Sequence, residues 1–274
     1  MGIGSTFPSV SSFDRDVTLT ELQGSIDSSF DIYQSLGFDK ELQKYLSEEI
    51  ISKNPFKKNA NPFIGLEEDL PFRNFTVLSP GVLEKDERIL KRTSPMKHRV
   101  QYEEHLVATE RLDGILRPIM GKRMQKMSEE EGLDIKIPFS FLLEYPDLVE
   151  DIDEPFSRYC VICEKLDVLS GEETSEIVQN MSEDQQIDLA RRICCFIEKT
   201  GYVDAHYGNF RFTVKGELAC IDEESFGLLR LEGFESVQNI PFEKYVEIGL
   251  QTFLQKGCFH SEAMKEFVEG RLSK

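Results

Sequence analysis

The chain has 274 residues, 40% hydrophobic and 30% charged, with 50 acidic against 32 basic side chains and a net charge of −18. A chain of this size can bury a full core as one large domain or two lobes. The acidic balance, with a pI near 4.7, argues against nucleic acid and against an anionic membrane surface, since both demand a basic face. It is compatible with a basic protein partner or a cationic substrate.

Residues 1–17 are expected to be disordered, because the first twelve are Ser, Thr, Gly and Pro in the main and carry no charged side chain. Met1-Gly2-Ile3-Gly4-Ser5-Thr6 fits the N-myristoylation pattern. Residues 18–72 are expected to form a helical extension and a linker. Leu19, Leu22, Ile26, Phe30, Leu42, Tyr45, Leu46 and Ile50 recur at helical spacing, Gly37 interrupts them, and Pro55, Pro62 and Pro71 punctuate the segment 53–72.

Three strands are predicted next, from Asn74 to Leu78, Gly81 to Glu84 and Arg88 to Thr93. A helix is predicted from Met96 to Leu116, started by Ser94-Pro95. The charged stretch 121–134 reads as a loop. Ile135 to Glu144 and Tyr159 to Glu164 read as two further strands.

Ser182 to Lys199 is predicted to be a helix. Ser182 and Gln185 offer a capping box, and Ile187, Ala190, Ile193, Cys194 and Ile197 share a face. Phe210 to Val214 and Leu218 to Ile221 read as a hairpin turned at Lys215-Gly216-Glu217. Helices are predicted at Phe242 to Leu254 and Ser261 to Leu272.

Six cysteines lie at 160, 163, 194, 195, 220 and 258 without the repeated spacing of a zinc site. Cys160 and Cys163 form C-x-x-C inside an apolar strand, where residues three apart face opposite sides, so small buried hydrophobes are expected. No secretory leader or membrane-length apolar run is recognised, so reduced thiols, no transmembrane segment and a cytoplasmic setting are expected.

The chemistry concentrates between the long helix and the hairpin's far end. Asp204, His206 and Asn209 form D-x-H-x-x-N, and Asp222 follows the second hairpin strand. Asn209 and Asp222 offer hard oxygen ligands suited to Mg²⁺. This constellation resembles the protein-kinase-like superfamily, most closely its aminoglycoside- and choline-kinase-like branch.

The resemblance implies an α+β, two-lobed kinase-like fold, with the N-lobe at 73–164 and a reduced C-lobe at 165–274. It implies ATP and Mg²⁺ as cofactors. Asp204 would orient the acceptor hydroxyl, while Asn209 and Asp222 would hold the metal. Lys91 would neutralise phosphate, paired with Glu103 on the following helix or with its rival Glu104. Cys163, Glu164 and Leu166 would form the gatekeeper and hinge against adenine. Gly81 would lie in the turn that covers the nucleotide.

The chain departs from protein kinases in several places. It has only Gly81 where they have a Gly-rich loop. Tyr202-Val203-Asp204 stands where they have His-Arg-Asp, and Asp222-Glu223-Glu224 where they have Asp-Phe-Gly. Only 52 residues follow Asp222. The acceptor is expected to be a protein or a small molecule. The reduced C-lobe and Ser-rich start resemble a bacterial effector kinase delivered into a host cell. A pseudokinase scaffold and an AMP transferase on the same fold remain alternatives.

Overall fold

Short runs of Val, Leu and Ile between charged turns build three strands in the computed structural model of the chain: β2 (Thr76–Ser79), β3 (Val82–Lys85) and β4 (Arg88–Arg92). The structure describes residues 13–25, 76–79, 82–85, 88–92, 98–102, 105–109, 112–144, 159–223, 227–232, 240–257 and 260–273. The architecture is mixed α+β. The first twelve residues, the 26–72 part of the expected helical extension and linker, Gly81, Glu103 and Glu104 lie outside the described residues.

β2, β3 and β4 join β8 (Ser140–Glu144) and β9 (Tyr159–Glu164) in an antiparallel sheet of order β2-β3-β4-β9-β8. Lys91 stands on the central strand, opposite Val82 on one side and Val161 on the other.

The helix expected from Met96 to Leu116 is corrected over most of its length. β5 (His98–Tyr102) and β6 (His105–Thr109) pair as an antiparallel hairpin instead. Val100 stands opposite Val107, a β-branched cross-strand pair that favours extended backbone over helix. Glu103 and its rival Glu104, expected on that helix, lie outside the described residues.

The helix begins later, as α2 (Leu112–Glu130), and covers most of the stretch expected to be a loop. Its exposed charged residues share one face, and Arg117 alone among the described charged residues of the helix lies on the buried one. Ile115, Leu116, Ile119, Met120 and Met124 are buried, while Lys122, Lys126, Glu129 and Glu130 are exposed. Charge on a solvent face does not break a helix whose other face is packed. α2 packs on β8 and β9.

The C-terminal half is organised around a second long helix, α4 (Glu183–Thr200), preceded by α3 (Gly171–Asn180). The expected capping box is present, with Ser182 and Gln185 bonded reciprocally. Leu189, Ala190, Ile193, Cys194, Phe196 and Ile197 are all buried. The two helices expected in the tail are present as α5 (Phe242–Lys256) and α6 (Glu262–Leu272), and both pack against α4.

The hairpin of β10 (Phe210–Phe212) and β11 (Leu218–Cys220) is present, and β7 (Ile135–Lys136) adds to it in parallel beside β11. Gly216 takes φ +82° in its turn, where a side chain would be strained.

Residues 13–17, expected to belong to a disordered terminus, are ordered. β1 (Asp16–Val17) pairs in parallel with β12 (Arg230–Leu231), and a helix, α1, follows over 19–25. Phe13 and Val17 are buried, and Phe13 stacks on Phe242 at 6.3 Å. Long-range packing supplies the order that local composition does not. Cys163, Cys194 and Cys220 are buried free thiols, as expected of the cysteines in apolar runs. Among the described residues, no helix is long and apolar enough to cross a membrane.

Candidate active site

Helix α4 ends at Gly201, whose φ of +67° is the left-handed cap that glycine adopts without strain. The chain then turns into the segment 202–209. Gly249 of α5 lies directly under it: a Cβ there would come within 2.2 Å of the Tyr202 carbonyl oxygen, so only glycine permits this approach. The Tyr202 ring is buried in edge contacts with Phe196 at 6.1 Å and Phe210 at 5.9 Å. This aromatic floor fixes the loop's height relative to α4 and the hairpin.

Asn209 is the hub of the loop. Its Nδ2 donates to the Tyr202 hydroxyl at 3.0 Å, to the Asp204 carbonyl at 3.0 Å and to Asp204 Oδ2 at 2.9 Å. An amide so engaged through its nitrogen keeps its oxygen as the remaining acceptor. The Ile221 N–H donates to the Asn209 carbonyl at 2.9 Å, which brings the residue before Asp222 against the loop. Cys220 Sγ reaches the Asp222 carbonyl at 3.5 Å, and its thiol hydrogen-bonds Tyr202. Asp204 and Asn209 are thus joined through their side chains, and Asp222 through the backbone, in one part-buried network.

The electrostatics of this network keep its core neutral. Burial raises the Tyr202 phenol well above its ordinary value, and the neighbouring acidic groups of Cys220, Asp222 and Asp204 add to the effect. Burial likewise raises the Cys220 thiol. Both groups stay protonated and serve as hydrogen-bonding struts.

His206 braces the loop. Its Nδ1 accepts from the Gly208 N–H at 3.0 Å, and its Nε2 lies 3.5 Å from Asp204 Oδ2. A ring that accepts at Nδ1 carries its proton on Nε2, facing the carboxylate. A Cβ at Gly208 would collide with the imidazole at 2.6 Å, so the ring and the glycine require one another.

Asp222 sits just beyond β11, as the hairpin reading expected. Arg117 of α2 donates from Nη1 to Asp222 Oδ1 at 2.8 Å. Sequence reasoning missed this partner. The available signal was a lone cation in the buried run Ile115-Leu116-Arg117-Pro118-Ile119-Met120. Beside it, Glu223 is fully buried and accepts from the Cys163 thiol at 3.2 Å, next to Gly121 of α2.

Glu164 ends β9. Its backbone N–H donates to the Phe139 carbonyl at 2.7 Å, and its side chain accepts from the Phe139 N–H at 3.3 Å. Leu166 is buried, and its carbonyl accepts from Val168 at 2.9 Å. Among the described residues the Leu166 N–H has no hydrogen-bond partner. On the other side of the loop, Ser170, Gly171, Glu172, Glu176, Tyr207 and Arg211 border an open cleft of about 890 Å³.

The donor set fits a Mg²⁺ held largely by phosphate and water oxygens. Among the described residues no three His, Cys, Asp or Glu side chains converge as a dedicated metal cage. Mg²⁺ does not require one, because it typically takes one or two protein oxygens beside the substrate's phosphates. Asn209 Oδ1 and the Asp222 carboxylate are oxygens of that kind.

No protein-family model matches the chain, and no curated protein matches it in sequence.

Proposed function

We propose that the chain is an ATP- and Mg²⁺-dependent phosphotransferase of the two-lobed protein-kinase-like fold, acting on a hydroxyl of a protein or small-molecule acceptor. The observation that carries this reading is the joining of Asp204 to Asn209 by a 2.9 Å hydrogen bond, with Asn209 in turn tied through the Ile221 N–H to the strand end bearing Asp222. The five-stranded antiparallel sheet backed by α2 supports an N-lobe at 73–164, and the helices around α4 support a reduced C-lobe at 165–274.

In this mechanism Asp204 accepts a hydrogen bond from the acceptor hydroxyl and takes its proton as transfer proceeds. His206 and Asn209 hold its carboxylate in place. Asn209 Oδ1 and Asp222 would hold Mg²⁺, which neutralises phosphate charge. The Leu166 N–H would meet the adenine at the end of β9. Lys91 on the central strand remains the proposed phosphate cation, with Glu103 or Glu104 as its partner. The cleft beside Tyr207 would receive the acceptor. A protein acceptor would accord with delivery into a host cell, and a small-molecule acceptor with a cytoplasmic enzyme.

A second reading, a scaffold without catalysis, is favoured by the pairing of Asp222 with Arg117. Incubation with ATP labelled at the α or the γ position, followed by mass spectrometry of the products, separates the possibilities. Transfer of γ label identifies a kinase, and transfer of α label an AMP transferase. Calorimetry should show ATP binding that needs a divalent ion and is lost in Asp222→Ala. Equal affinity in chelator or in that variant would remove the phosphotransferase assignment.

A further inference from the structure

Arg117 is a charged residue in an otherwise apolar stretch of helix. Its neighbours Ile115, Leu116, Ile119 and Met120 are fully or almost fully buried, so α2 cannot shift locally to carry the guanidinium away. The side chains of Arg117 and Asp222 are 10% and 28% exposed, and their ion pair measures 2.8 Å. Salt and water screen such a pair far less than one at the surface. A divalent ion approaching Asp222 by itself meets a carboxylate already engaged by a guanidinium, whose charge repels it. A divalent ion carrying a polyphosphate meets the same guanidinium as an attractive partner, because arginine binds phosphate oxygens through several directed N–H groups.

We propose that Arg117 makes metal binding at Asp222 conditional on a polyphosphate, so that the site takes the divalent ion as its nucleotide complex and rejects the bare ion. This rests on the phosphotransferase reading and adds a residue that recognises the metal–polyphosphate complex. It adds a residue of α2 to the phosphate recognition proposed for Lys91. The coupling is reciprocal: polyphosphate raises metal affinity by the factor by which metal raises polyphosphate affinity.

The test uses the full chain with Mn²⁺ as a spectroscopic probe for Mg²⁺. Bare Mn²⁺ binding is read by electron paramagnetic resonance, and binding of a non-hydrolysable ATP analogue with Mg²⁺ by calorimetry. The wild-type chain should bind bare Mn²⁺ weakly. Arg117→Gln should tighten bare Mn²⁺ about tenfold and weaken the Mg²⁺–analogue complex about tenfold, within the usual range of site-to-site coupling. Arg117→Lys, which retains the charge but not the directed N–H groups, should keep bare Mn²⁺ binding weak and weaken the Mg²⁺–analogue complex less than Arg117→Gln does.

The opposite signs are diagnostic. A merely structural role for Arg117 would misplace Asp222 and weaken both. If Arg117→Gln weakens both, or changes neither, the inference is overturned. Should Arg117→Gln fail to fold by circular dichroism, the wild-type chain supplies the same test: bare Mn²⁺ bound as tightly as Mn²⁺ with saturating pyrophosphate overturns the proposal. A wild-type chain that binds no Mg²⁺–analogue complex defeats the phosphotransferase reading, and the bare-ion comparison still judges Arg117.

Discussion

Asp204 and Asn209 illustrate how a loop residue can be both structural and chemical. The Asn209 amide nitrogen bonds the Asp204 carboxylate at 2.9 Å and the Asp204 carbonyl at 3.0 Å, so part of this geometry would survive loss of the charge. Asp204→Asn keeps an acceptor oxygen of similar shape and removes the basic carboxylate. Nucleotide affinity in that variant should stay within about threefold, while turnover falls ~10²-fold or more, the usual contribution of a positioned acid–base group. Parallel calorimetry and turnover assays check this. Turnover close to the parent's would remove Asp204 from the catalytic role.

Among the elements, the parallel pairing of β1 with β12 joins residues more than two hundred positions apart. Arg15 anchors it. Its Nε donates to the Leu228 carbonyl and its Nη1 to the Ile240 carbonyl, both at 2.9 Å, while its guanidinium lies 5.1 Å from the Tyr245 ring centre. Burial lowers its pKa, but arginine remains charged at any ordinary pH. Charge-assisted hydrogen bonds contribute about 1.5–3 kcal/mol each at most, and here they are half-buried. Arg15→Ala should therefore cost about 2–4 kcal/mol, read as a lowered urea midpoint. A loss below about 0.5 kcal/mol, typical of a plain surface change, would show that the segment 13–17 merely rests on the body.

For the molecule as a whole, the buried thiols predict the alkaline limit of stability. Burial first, and the Glu198 charge second, push the Cys194 thiol from its ordinary 9.0 up to about 12. Burial raises Cys195 and Cys220 in the same direction. An unfolded chain releases these protons near pH 9, while the folded chain retains the Cys194 proton to about pH 12. Their contribution is therefore fully present below pH 9 and is lost as pH rises from 9 toward 12. The urea midpoint should fall between pH 8 and about pH 10.5, and the fall should be shallower in Cys194→Ala. An equally steep fall in that variant would assign the alkaline loss to other groups.

Local signals were sufficient wherever an element's cause lies within a few residues of itself. Ser182 with Gln185 started α4, apolar spacing carried it, and Gly216 turned the hairpin. D-x-H-x-x-N and the strand-end Asp222 could be read because their spacing is set by one loop and one hairpin. The pairing of Val100 with Val107 was not legible, since the same residues also satisfy a helical period and only a partner strand decides between them. α2 was hidden by its charges, which read as a loop until one face is seen packed against β8 and β9. The order at Phe13 to Val17 and the Arg117–Asp222 pair are tertiary in the strict sense. Their partners lie far along the chain, and burial against those partners, not local propensity, holds them in place.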